Sequence, residues 1–130
     1  ILSIIVQVGR SQLLTLLKDN VCEVKFVRRV FKSGAPPTRR MLCTNSFTLL
    51  NSENGRLTLN FRPTSNFQDY NPAVKNLIIV WDIFMQNYRQ INCDNVDLIE
   101  TIPANDEFWE YYVDKIENMT QQEKINFQNM

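Results

Sequence analysis

The sequence predicts a mainly β fold: a small antiparallel barrel of five or six strands, with a short N-terminal helix and one or two C-terminal helices. Three observations predict it. Leu77–Phe84 and Tyr88–Cys93 are β-rich runs on either side of a polar Gln86-Asn87 turn, the pattern of a hairpin. Val21–Phe31 and Arg39–Thr44 alternate around a turn in which Gly34, Pro36 and Pro37 forbid a continuous strand. Beyond Pro103 the apolar spacing changes from the period of a strand to that of a helix.

Ile1–Val8 is apolar, but a run this short cannot cross a bilayer. Ser11–Lys18 places Leu13, Leu14, Leu16 and Leu17 behind a Ser11 N-cap, which predicts an amphipathic helix reaching back into Ile4–Val8. It would cover one end of the barrel, since its polar face carries too few cations for a membrane surface. In the first hairpin Cys22, Val24 and Phe26 share one face and Glu23 and Lys25 the other; Met41 and Cys43 share a face on the return strand. Asn51–Gly55 reads as a turn-rich connection and Arg56–Phe61 as a strand with Leu57, Leu59 and Phe61 inward, ended by Pro63.

Thr64–Ala73 is a polar loop holding Phe67 and Tyr70, aromatics that either pin it or serve a ligand lid. Leu77–Phe84 is almost wholly apolar, so it reads as a strand buried on both faces. Asp94–Glu100 reads as one helical turn and a last short strand. Asp106 is placed to cap a helix through Met119, where Phe108, Tyr112 and Ile116 form a stripe widened by Trp109 and Val113. Thr120 and Glu123 match a capping box, so a second short helix follows. The implied organisation is a helical segment 1–20, a barrel 21–102 and a helical extension 103–130.

The chemistry is narrowed by what the chain does not contain. It has no histidine, which removes the usual proton shuttle and the Ser/His and Cys/His dyads. Its three glycines form no phosphate-cradling loop. Cys22, Cys43 and Cys93 are odd in number and lack zinc spacing, so they read as small buried hydrophobes in a reducing compartment. The carboxylates Glu107, Glu110, Asp114 and Glu117 lie along the C-terminal helix as a solvated face. The expectation is therefore no enzyme, no metal and no cofactor.

The net charge of zero divides unevenly. Residues 1–63 carry ten basic and three acidic side chains, or +7, and residues 64–130 carry four and eleven, or −7. Arg28, Arg29, Lys32, Arg39 and Arg40 crowd the distal part of the first hairpin with no acid among them. They are the candidate nucleic-acid contacts; otherwise they pair with the acidic C-terminal helix, within the chain or in a neighbouring copy. Asp82 and Arg89 flank the second turn and are expected to form a cross-strand ion pair that sets its register. Trp81 and Tyr88 read as core or rim aromatics, and Phe108, Trp109 and Tyr112 as an interaction face.

One ordered set of residues carries a resemblance. Asp82 is followed seven residues later by Arg89, then by Asp94 and Val96, while Val24-Lys25-Phe26, a glycine turn and Arg40-Met41-Leu42-Cys43-Thr44 stand upstream. This order resembles a small SH3-like β-barrel family of unknown function from tailed bacteriophages, those of Bacteroides-type hosts among them. The likeness spans about Val21–Ile99. Tyr88 stands where the family usually has tryptophan, Pro36-Pro37 enlarge the first turn, and Ser46–Ala73 and the helices after Pro103 are additions.

The resemblance implies an SH3-like barrel, a viral source, and a place in the host cytoplasm or the virion. With the charges, it leads to the expectation of a non-enzymatic phage binding module whose basic hairpin contacts nucleic acid or a polymerase-type, nucleic-acid-associated complex. The alternative is a structural or assembly component docking head to tail on other phage proteins or on copies of itself. A weaker alternative is an anti-defence protein that captures a nucleotide. No membrane partner is expected.

Overall fold

A computed structural model describes residues 2–29, 33–63 and 72–130. Among them, the strands β1 (Leu2–Val8), β2 (Asn20–Val27), β3 (Thr38–Thr44), β4 (Leu77–Asp82), β5 (Asn87–Asn92) and β6 (Val96–Pro103) form one antiparallel sheet in the order β1-β6-β2-β3-β4-β5. The helices are α1 (Arg10–Asp19), α2 (Phe47–Leu50), α3 (Glu53–Thr58), α4 (Asp106–Asn118) and α5 (Gln121–Gln128).

The first hairpin forms as its alternation requires. Cys22 stands opposite Cys43, Val24 opposite Met41 and Phe26 opposite Arg39. One side of the sheet buries Cys22, Val24, Phe26, Met41, Cys43, Ile78, Val80, Ile91 and Leu98 beneath Leu13 and Leu17 of α1. The other side buries Val21, Leu42, Trp81 and Ile102 beneath Leu49, Leu50, Phe108, Tyr112 and Ile116. Both faces are thus covered, which is why β4 is apolar on both up to Asp82.

The first core draws on all six strands, so the sheet curls around it. A direct link shows the same: Asn92 Nδ2 donates to the carbonyl of Val27 at 2.9 Å, although β5 and β2 are separated by two strands in the sheet. Yet the sheet stays open. Its edges are β1 and β5, and the β3–β4 ladder is confined to Cys43–Asp82 and Thr44–Trp81. The closed barrel of the sequence reading is not formed by strand pairing among the described residues.

Several expectations change. Ile4–Val8 belongs to β1, which pairs with β6, rather than to a helix. Its β-branched side chains lose rotamer freedom in a helix and fit a pleated edge. α1 starts behind Gly9, which offers no side-chain cap, instead of Ser11. Residues 53–58 are helical, where a turn to Gly55 and a strand from Arg56 were expected: Ser46 Oγ accepts from the Leu49 amide and Ser52 Oγ from the Gly55 amide, starting α2 and α3 in succession. Leu57 is consequently 74% exposed, while Leu59 and Phe61 are buried.

The loop between β4 and β5 is longer than the expected Gln86-Asn87 turn. Residues 83–86 form it, with Gln86 at φ 54° and Asn87 already paired with Asp82. The segment after Asp94 becomes a full strand, β6, which pairs with both β1 and β2 at the centre of the sheet. α4 is capped by Asn105, whose side chain accepts from the Glu107 amide at 2.9 Å, and buries Phe108, Tyr112 and Ile116 as their spacing requires. α5 carries the expected capping box between Thr120 and Glu123.

Candidate anion-binding site

The five cations assigned to the first hairpin do not act together. Lys32 lies outside the described residues. Arg29 is exposed and holds Asp94 through Nε at 3.2 Å and Nη2 at 2.8 Å. Asn76 donates to the other carboxylate oxygen at 2.9 Å. The hydrogen bonds from these two partners, Asn76 first, keep the Asp94 carboxyl below its ordinary range.

Arg40 lies in the register opposite Lys25, on the side of the sheet that α4 covers. There its guanidinium binds Glu23 Oε2 at 2.9 and 3.1 Å and lies 4.3 Å from the centre of the Phe127 ring. Glu23 is only 5% exposed. Burial raises its pKa and the hydrogen bond from Arg40 partly offsets that rise. Arg40 is therefore a structural cation that also seats α5.

Arg28 and Arg39 remain, and the fold brings a third guanidinium to them. Arg39 stands opposite Phe26 on the side of the first core. Arg89 stands opposite Val80, on that same side. Arg28 follows β2, where its amide and Nη2 donate to the carbonyls of Pro37 and Pro36 in the proline turn. The Nε atoms of Arg28, Arg39 and Arg89 are all buried and without a hydrogen-bond partner. Burial lowers the pKa of Arg39, as do the charges of Arg89 and Arg28, whereas Asp82 raises it.

Asp82 is the acid of this cluster. It pairs with Cys43 on one side and Asn87 on the other and is 3% exposed. Burial pushes its pKa up to about 6, against the opposing effects of the Met85 amide, bound at 3.1 Å, and of Arg89 and Arg39. The expected Asp82–Arg89 ion pair is not made. Within 4 Å, the ion pairs among the described residues are Arg29–Asp94 and Arg40–Glu23. The register explains this: Asp82 faces Asn87, and Arg89 sits two residues further along β5. Arg89 Nη1 donates instead to the Tyr88 carbonyl at 3.3 Å.

Sequence reading missed Arg89 as a member of the cluster. Its signal was an arginine alternating with Ile91 on an inward face, where a charge is costly unless it has work to do. The expected interaction face on α4 is also revised. Phe108 and Tyr112 are buried in the second core, Trp109 packs against it, and the exposed ring is Tyr111. Helical phasing turns the Phe108 stripe inward and so removes it from solvent.

Two further features flank the sheet. A cavity of about 360 Å³ lies between Glu23, Arg40, Glu100, Tyr112, Lys115 and Phe127. Glu23 and Glu100 face each other across β2 and β6, and the Tyr112 hydroxyl donates to Glu100 at 3.3 Å. Elsewhere Phe47, Phe61, Trp81 and Tyr88 form an edge-to-face series. Trp81 Nε1 donates to the Leu59 carbonyl and Tyr88 to that of Arg62, which fastens residues 59–62 to the second hairpin.

Among the described residues no group of three or more Cys, Asp or Glu is placed to hold a metal ion, and no helix is long and apolar enough to cross a membrane. A scan against protein-family models, a search of curated proteins and a search of solved structures each found no match to this chain.

Proposed function

We propose that the chain is a non-enzymatic binding module that holds nucleic acid, or a protein complex built on nucleic acid, through Arg28, Arg39 and Arg89. The observation that carries this reading is the set of three buried, unpartnered guanidinium Nε–H groups, on Arg39 and on the Arg28 and Arg89 whose charges act on it. Unsatisfied buried donors cost about 1–3 kcal/mol each, a burden that an anion from outside would relieve. The basic-hairpin reading is thereby narrowed to part of its residues and extended to Arg89. The curl of the sheet and the adjacency of the Val24 and Met41 strands support the SH3-like barrel resemblance. The phage source, and a place in host cytoplasm or virion, rest on that resemblance.

The test is fluorescence polarisation with a labelled mixed-sequence oligonucleotide across a range of salt. Binding should weaken steeply as salt rises and fall at least ten-fold with Arg39→Ala. Arg40→Ala should instead lower stability, because Arg40 serves Glu23. No salt-dependent binding, or equal loss from both variants at matched folding, overturns the assignment. A second reading, assembly with further copies or other phage proteins, is favoured by β1. This edge strand has no charged residue, and Ile5 is 73% exposed on it, a combination that invites strand pairing.

A further inference from the structure

Resting on that reading, we infer that the Arg28–Arg39–Arg89 cluster is a recessed receptor for a terminal phosphoryl group. Its ligand would be a phosphate monoester, as at the end of a nucleotide or a 5′-phosphorylated strand, and not the phosphodiesters inside a strand. Charge is the first argument. Arg39 feels the charges of Arg89, Arg28 and, as its one acid, Asp82, so among the described residues the set carries a surplus of two positive charges. A phosphate monoester carries close to two negative charges at neutral pH, its second pKa being about 6, whereas a phosphodiester carries one.

Geometry is the second. Arg39 and Arg89 lie opposite Phe26 and Val80 on the side of the sheet that curls around the first core. All three arginines are half-buried. A strand running through would need cations laid along an outer surface. Arg29, exposed in the same hairpin, is already bound by Asp94. A strand end or a mononucleotide can reach half-buried donors that a continuous backbone must bend to meet.

Donor count is the third. Each guanidinium has an Nε–H that the fold leaves without an acceptor. Arg28 and Arg89 meanwhile spend an Nη on the Pro36 and Tyr88 carbonyls, which steadies them. A monoester offers three terminal oxygens, one for each arginine, and a diester only two. Arginine forks suit such oxygens because their donors are planar and fixed in spacing. Because the Nε edges are buried, binding requires the guanidiniums to turn about their terminal torsions, and Asp82 to share them with the incoming group.

The experiment compares two 3′-labelled single strands of one sequence, with a 5′-phosphate or a 5′-hydroxyl, by polarisation at moderate salt. A nucleoside 5′-monophosphate and its nucleoside are tested by thermal shift in parallel. The expected result is at least ten-fold tighter binding of the 5′-phosphorylated strand, abolished by Arg39→Gln. Arg89→Gln and the wild-type comparison decide the matter if Arg39→Gln does not fold. Stabilisation by the monophosphate alone, lost in the same variants, would also support a phosphomonoester site and identify the free nucleotide as its source. Equal, Arg39-dependent binding of the two strands overturns this inference and leaves nucleic-acid binding standing. No binding of either strand and no stabilisation by the monophosphate overturns both.

Discussion

Gly55 gives the sharpest test of the packing. It is buried in α3, and a Cβ built there would lie 2.3 Å from the carbonyl oxygens of both Leu49 and Leu50 and 2.6 Å from the Leu50 carbonyl carbon. An ordinary C···O contact is about 3.3 Å or more, so α2 and α3 would have to separate by roughly 1 Å. They cannot do so freely. Leu49 and Leu50 are held in the second core, and the Leu49 carbonyl accepts from the Ser52 hydroxyl at 2.6 Å. The amides of Leu59 and Phe61 both donate to the Gly55 carbonyl at 3.2 Å. Overpacking costs about 1–3 kcal/mol and sometimes more, and disturbing the Ser52 cap adds about 1 kcal/mol. Alanine's better helix propensity returns about 1 kcal/mol. Gly55→Ala should therefore lose about 1–3 kcal/mol, read as a lower urea midpoint by circular dichroism with an unchanged slope. Gly9→Ala is the control: no atom lies within 4 Å of its built Cβ, and its effect should stay within about 0.5 kcal/mol. A Gly55→Ala variant as stable as the parent would refute the close approach of the two helices.

Three other outcomes are expected. The Asp82 carboxyl holds its proton more tightly when folded, at about 6 against an ordinary 3.8, so ionising it costs the folded state. Its contribution to stability should decline as pH rises from about 4 to 6 and level off above, a loss of about 3 kcal/mol. Asp82→Asn keeps an acceptor for the Met85 amide and should remove that decline. A variant less stable than the parent at pH 7.5, measured by urea unfolding, would mean that attraction to the arginines outweighs burial. Arg40→Ala strands Glu23 as a buried carboxylate and unseats Phe127, for a loss of about 2–4 kcal/mol; limited proteolysis should then cut within α5, and an unchanged stability and digest would argue against the pairing. Burial pushes the thiol of Cys22 up to about 12 and that of Cys93 up to about 11, with Cys43 well above its ordinary value. A disulfide reagent at pH 8 should therefore leave all three unmodified until denaturant is added, and prompt labelling of any one would contradict its burial.

The parts of the fold legible in the sequence are those where one local signal decides. The first hairpin follows from alternation and a proline turn. α4 follows from the spacing of Phe108, Tyr112 and Ile116, and α5 from its capping box. β1 was misread because Ile4, Ile5 and Val6 favour a strand only when β6 is there to pair with them, and that partner is some ninety residues away. Arg56–Phe61 was misread as a strand because Leu57, Leu59 and Phe61 imitate alternation, while the serine caps that decide the matter lie outside that window. The candidate site was half legible. Arg28 and Arg39 could be named from the charge pattern, but their separation from Arg29 and Arg40 depends on register. The arrival of Arg89 depends on the curl of the sheet, which no local pattern records.

The place of β6 has a consequence for how the chain folds. It is the last strand in sequence and one of the two that β2 pairs with near the middle of the sheet; it also supplies β1 with its ladder, Leu2 meeting Thr101 and Val8 meeting Val96. The α1–β2–β3 and β4–β5 units can assemble from near neighbours, but β1 has nothing to pair with until residue 103 has been made. On a ribosome, an uncharged strand would thus wait unpaired while the residues between it and β6 are made. The long loop that must close to seat it makes this a late and slow step, and any factor that shields β1 in the meantime would govern how much of the chain reaches the folded state.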